Sequence, residues 1–353
     1  MAGIENLPVN GNDAFEVTSD FMTMRSIGIE FELVRPERRE ARAARYAVEA
    51  DVATAAEGVA LAALERGAAA AWLNRYFLES VHSELQRSRE QVSLQIEAAD
   101  VAFRSGLGTE DGALAARLTL ARLDDRIEEA ARDVELARVQ LARWIGDAAS
   151  RPLGEPPAMD SAGAHASGIA SALQHHPGLQ RLSSEADLAR AQAEIARAES
   201  DSDWTVGVMY GQRSPDFSNM VSVRASKPLR LNRRDRQDRE VAAQLALARK
   251  ASAELEEATR MHQAESESLL AAWQANGTRL DRYDTELLPL ARERSAAATA
   301  AYRGGTGTLE GVLAARVAEI DVALDRIALA HETALIWAEL YYLVPAETGA
   351  HHD

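Results

Sequence analysis

Two stretches of nearly unbroken helical pattern, residues 36–103 and 233–301, leave few folds open to this chain. Each has roughly 68 residues, and at ~1.5 Å rise per residue each would be a rod of ~100 Å. Helices of globular domains seldom pass about 20 residues, so rods of this length need a coiled-coil or tubular setting to cover their apolar sides. Composition agrees. Hydrophobic residues make up 46% of the chain but aromatics only 5%. Alanine, which carries much of that share, adds little buried area but lets neighbouring backbones approach.

Each rod is followed by a Gly-rich turn and a returning helix, predicted at residues 109–145 and 308–343. The two turns are copies of one another. Residues 102–117 recur at residues 301–316 with ten of sixteen columns identical. The chain is therefore a duplicated long-helix hairpin. Residues 1–148 form the first repeat, 149–163 a linker marked by Pro152, Pro156 and Pro157, and 164–353 the second repeat. A further helix is expected over residues 167–200, started or interrupted at His176-Pro177-Gly178. Both returning helices carry apolar seams at alternating steps of three and four. The first runs through Leu120, Leu123, Ile127, Ala130, Val134, Ala137 and Leu141, the second through Leu313, Val317, Ile320, Leu324 and Ile327. That 3.5-residue period predicts knobs-into-holes packing on a neighbouring helix.

Before each rod the pattern changes to a period of two. Residues 26–33, 204–211 and 220–229 alternate apolar with small or polar side chains and read as strands. The last two make an antiparallel hairpin, and residues 4–9 with 21–34 make a second. Four strands cannot close a barrel alone. Three copies of the chain would supply enough strands to leave no open edge. The soluble alternative is a pair of β-hairpins packed on a helical bundle. Trp204, Val206, Val208 and Tyr210 share one face of a strand, which would meet lipid in a barrel or form core in a soluble hairpin.

Several functions are excluded. With 39 Lys+Arg against 55 Asp+Glu and no basic cluster, nucleic-acid binding is ruled out. Without cysteine there is no disulfide, thiolate metal site or thiol nucleophile. No apolar run reaches the length of a transmembrane helix. No nucleophile is paired with a base, and Gly304-Gly305-Thr306-Gly307-Thr308 lacks the lysine and preceding strand of a phosphate loop. The chain is read as no enzyme, with no cofactor. The eight histidines form no metal site, since His175-His176 precede a proline, His351-His352 lie at the end, and His82, His165, His262 and His331 are isolated.

The arrangement of two strands, a long helix, a Gly turn and a returning helix, twice over, resembles the outer-membrane efflux channels of the TolC family. The similarity is carried by several segments in order. They are His176-Pro177-Gly178-Leu179 with Ala186, Ala193, Ala196-Arg197-Ala198-Glu199 and Trp204; Lys227-Pro228-Leu229-Arg230-Leu231-Asn232-Arg233-Arg234; and Leu287-Leu288-Pro289-Leu290-Ala291-Arg292 ahead of Tyr302-Arg303-Gly304-Gly305. Residues 4–9 and 20–28 look most like the heavy-metal, CzcC- and CusC-like branch. The resemblance implies a mainly α protein with a small membrane β part, a homotrimeric α/β-barrel in the outer membrane with a periplasmic extension. It also implies a periplasmic adaptor and an inner-membrane RND-type pump as partners, outer-membrane lipid around the barrel, and export of cations, heavy-metal ions above all. Drug efflux or type I secretion is the alternative within the family, and a non-channel coiled-coil scaffold the alternative outside it. Such channels begin with a signal peptide and helices, whereas Met1 opens within a strand and has no basic or apolar leader. The expectation is an exported channel whose first part is missing.

The resemblance also assigns roles. The two turns, through Arg104, Gly106, Gly108 and Thr109 and through Arg303, Gly305, Gly307 and Thr308, correspond to the tips where the adaptor docks. Thr109 and Thr308 are expected to cap the returning helices. Asp111 and Glu310 could form an acidic gate ring, although the family's gating acids align with Gly112 and Gly311. Trp204 and Tyr210 are candidates for membrane-interface aromatics, and Trp72 and Trp273 for packing anchors.

Overall fold

A computed structural model describes residues 1–12, 14–18, 20–104, 109–159 and 173–343. In chain order the elements are β1 (Ala2–Glu5), β2 (Met24–Leu33), α1 (Pro36–Arg104), α2 (Glu110–Ile145), α3 (Pro177–Glu199), β3 (Trp204–Gln212), β4 (Met220–Ser226), α4 (Gln237–Arg282), α5 (Leu288–Arg303) and α6 (Leu309–Tyr341). The chain packs as two compact units that cut across both repeats. One comprises residues 1–55 and 181–256, the other residues 56–180 and 257–353.

The first unit holds a four-stranded antiparallel sheet in the order β1-β2-β3-β4. Strand β1 stops at Glu5, short of the expected Val9, because Asn6 takes φ 56° and Pro8 has no N–H to give the ladder. Strand β4 stops at Ser226, two residues before Pro228, for the same want of a donor. In the same unit α3 buries Ala186 and Ala193, one heptad apart. Helix α4 begins at Gln237 and not at Arg233, since residues 233–236 are spent in turns and Asp238 and Glu240 then occupy the favourable first helical turn.

The second unit is helical. On α2 the buried residues Ala116, Leu123, Ala130 and Ala137 fall at strict seven-residue steps, as the seam requires. The first three close with Leu85, Val92 and Ile96 of α1 and Leu313 and Ile320 of α6 into one apolar cluster. A second cluster joins Leu73 and Phe77 of α1 to Ala334, Trp337 and Ala338 of α6, with Trp72 and Trp273 packed against it.

The second rod is not unbroken. Between α4 and α5 residues Tyr283–Leu287 form a π-turn in which Leu288 N–H bonds to the Tyr283 carbonyl. Pro289, which cannot donate to a carbonyl one turn back, stands immediately beyond. The wider turn changes which leucine is buried. The covered positions Asn276, Leu280 and Tyr283 advance by three or four, and the next regular step would fall on Leu287. Instead Leu287 is 37% exposed and Leu288 8%.

Candidate functional site

Helix α5 ends in a Schellman motif. Thr306 N–H bonds to the Ala301 carbonyl at 3.0 Å and Gly305 N–H to the Tyr302 carbonyl at 3.1 Å. Gly305 supplies the left-handed residue at φ +75°. Gly307 is required for a different reason, since a Cβ there would lie 3.0 Å from Tyr302 N and 3.1 Å from Ala301 C. The chain then turns into α6, where Thr308 Oγ1 accepts the Gly311 N–H at 3.1 Å. The first repeat matches it, with Thr109 Oγ1 accepting the Gly112 N–H at 3.2 Å. Gly106 and Gly108 lie outside the described residues.

The two returning helices start side by side, for a Cβ on Gly112 would stand 3.9 Å from Leu309 Cδ2. Lower down, Arg126 of α2 bonds Asp321 of α6 at 3.1 Å. Asp111 and Glu310 are both exposed and, among the described residues, carry no hydrogen bond or ion pair. Glu310 borders a shallow crevice between α2 and α6 with Ala115, Thr119, Leu313 and Asp321. Arg104 and Arg303 are the exposed last residues of α1 and α5.

The sheet has two chemically different faces. In register, Ile27 opposes Tyr210, Ile29 opposes Val208, Phe31 opposes Val206 and Leu33 opposes Trp204. Tyr210 and Val208 in turn oppose Val221 and Val223. This apolar face is open to the surroundings, with Ile27 64%, Ile29 62%, Phe31 59% and Val223 73% exposed. Trp204 and Tyr210 stand at its two ends. The other face carries Gly28, Glu30, Glu32, Gly207, Ser222 and Arg224. Among the described residues β1 pairs only with β2 and β4 only with β3, so both sheet edges have unpaired backbone groups.

The passages between strands and helices are tied by ions that pattern reading missed. Asp203, at the foot of β3 and 1% exposed in its side chain, accepts from Arg35 N–H at 3.3 Å, from Arg35 Nε at 3.1 Å and from Arg38 Nη1. The hydrogen bond from Arg38, aided by those from Arg35, holds the Asp203 carboxyl below the usual carboxylate range. Glu199 takes Arg38 Nε at 3.3 Å and Arg42 Nη2 at 2.7 Å, and Arg233 reaches Asp201 at 2.8 Å. The only sequence signal was the run Arg35, Arg38, Arg42 at the head of a helix, with no indication of its acidic partners.

Two of the lone helix histidines are packed against other rings. His331 stacks on Phe77 at 5.3 Å, and His262 meets His176 with ring centroids 4.4 Å apart. Among the described residues no group of three or more His, Asp or Glu is placed to hold a metal ion.

No protein-family model matches this sequence and no curated protein does. Solved structures do. The chain aligns over 98% of its length with CusC (82% of that chain, 15% identity, TM-score 0.81). It aligns over 97% with OprN (79% of that chain, 15% identity, TM-score 0.80). VceC from Vibrio cholerae covers 91% of this chain and 79% of its own, at 17% identity and TM-score 0.77. The fold is that of the outer-membrane efflux channels.

Proposed function

We propose that the chain is the outer-membrane channel of a tripartite efflux system, a homotrimer that acts as a passive conduit and not as an enzyme. The observation that carries this reading is the sheet, with one bare apolar face, one polar face and two open edges. Three copies would join the open edges into a 12-stranded barrel, set the apolar face against lipid and turn Glu30, Glu32 and Arg224 toward the lumen. Trp204 and Tyr210 then stand at the two membrane interfaces. Transport energy comes from an inner-membrane RND-type pump, reached through a periplasmic adaptor that docks on the two Gly turns.

We assign heavy-metal cations as cargo from residues 4–9 and 20–28, which look most like the CzcC- and CusC-like channels. Asp111 and Glu310, exposed one turn into each returning helix, would then form an acidic ring of six carboxylates per trimer. Purified chain, placed in detergent and then in planar bilayers, is expected to be trimeric and to conduct in discrete steps. A monodisperse species that stays soluble without detergent and never conducts would overturn the channel reading. In cells, Gly305→Trp should block metal export while leaving the amount of membrane-inserted trimer unchanged. Unaltered export would remove the tip from the docking role, and a chain that clears dyes but not metals would reassign the cargo to drugs.

A further inference from the structure

His176 closes the turn before α3, and its carbonyl accepts the first free helical amides, Leu179 N–H and Gln180 N–H, each at 3.0 Å. It is therefore the residue on which the first turn of α3 hangs, with Pro177 at the position that needs no donor. Its ring lies over Gly178, where a Cβ would come within 3.0 Å of Cε1. The same ring rests on His262 of α4 at 4.4 Å, the planes tilted by 41°. Nδ1 of His176 is shut off from solvent and, among the described residues, has no hydrogen-bond partner. Leu173, Pro177 and Leu179 around it are buried.

The charges facing this pair come from each packed element. Helix α1 contributes Arg66, whose positive charge acts on His176. Helix α4 contributes His262 itself and Glu265, with Oε2 3.6 Å from His262 Nδ1. The acid thus attends His262, while His176 faces an imidazole and a guanidinium. On its own segment His175 is exposed.

We propose that the His176–His262 contact is a proton-sensitive latch, which holds the first turn of α3 against α4 while the His176 ring is neutral and lets it go when His176 takes a proton. A protonated His176 would bury an N–H⁺ that finds no acceptor among the described residues and that faces the positive charge of Arg66. Burial first, then His262 and Arg66, push His176 down from 6.5 to about 4. A released turn takes its proton at the ordinary histidine value. The latch is therefore at full strength above pH 6.5, weakens as pH falls from 6.5 toward 4, and loses nothing more below that. Between pH 8 and pH 5 the ratio of latched to released turn should drop roughly 30-fold.

Hydrogen exchange of the intact chain in detergent tests this at pH 8, 6.5 and 5, with rates corrected for intrinsic pH dependence. Protection of the Leu179 and Gln180 amides should fall about 30-fold between pH 8 and pH 5, while Leu188 further along α3 stays unchanged. His176→Phe keeps a ring but takes no proton, and should make the Leu179 and Gln180 profile flat; His176→Gln serves the same purpose should the phenylalanine variant not fold. Flat protection in the parent chain, an equal loss at Leu188, or a pH response that survives in the variant would each overturn the latch.

Discussion

Replacing Asp203 by asparagine should loosen the junction where β2 enters α1 and α3 enters β3. The parent carboxylate, 1% exposed, takes three donors from Arg35 and Arg38. The amide keeps the shape but removes the charge, and it can turn an NH2 toward a guanidinium. Breaking a buried ion pair from one side costs about 3–5 kcal/mol. Here the arginines keep 31% and 20% exposure and have Asp201, Glu199 and Glu32 to turn to, which reduces the expected loss to about 2–3 kcal/mol. Urea denaturation at pH 7.5 measures it, with Asp201→Asn as control. Asp201 is 52% exposed, and its loss should stay within about 0.5 kcal/mol. The pH dependence has a definite sign. Because the Asp203 carboxyl titrates below its ordinary range, its contribution is complete above the usual carboxylate values and is lost as pH falls through the lowered one. The gap between parent and variant should therefore close in strong acid. A variant as stable as the control, or a gap that persists once the parent carboxyl is protonated, would refute the reasoning.

The caps of the two repeats are geometric copies, so Thr109→Ala and Thr308→Ala should cost nearly the same, about 1 kcal/mol each. A twofold or greater difference between them in thermal unfolding would show that the turns are not equivalent. On α1, Gly67→Ala would drive a Cβ into the Trp144 indole and should destabilise by about 1–3 kcal/mol through overpacking. Gly58→Ala meets only Pro177 Cβ at 3.8 Å and should stabilise by about 0.5–1 kcal/mol as a better helix former. The two melting temperatures should move in opposite directions.

Local periodicity made the helices legible. A step of 3.5 residues names the buried side of α2 wherever it occurs, and Ala116, Leu123, Ala130 and Ala137 lie where that step puts them. Alternation located β2, β3 and β4, and the matching segments 102–117 and 301–316 revealed the duplication. Helix starts and strand ends were less legible, because Arg233 and Pro8 act through single bonds that a window of residues averages away. The contacts least visible in the sequence join segments far apart along it. Nothing near Arg38 indicates Asp203, and nothing near His262 indicates His176; such pairs exist only once the helices have been laid together. The openness of the apolar sheet face was likewise hidden, since the same alternation would serve a covered sheet.

The turn at Tyr283–Leu287 takes up one residue more than a regular turn would hold. Leu288 is thereby buried at the place that regular spacing would have given to Leu287. The sequence register of the apolar stripe slips by one while its bearing in space is kept. Deleting one residue from that turn should restore regular spacing and leave Leu288 to Arg303 facing as they do, whereas the same deletion elsewhere in the helix would swing every later side chain by ~100°.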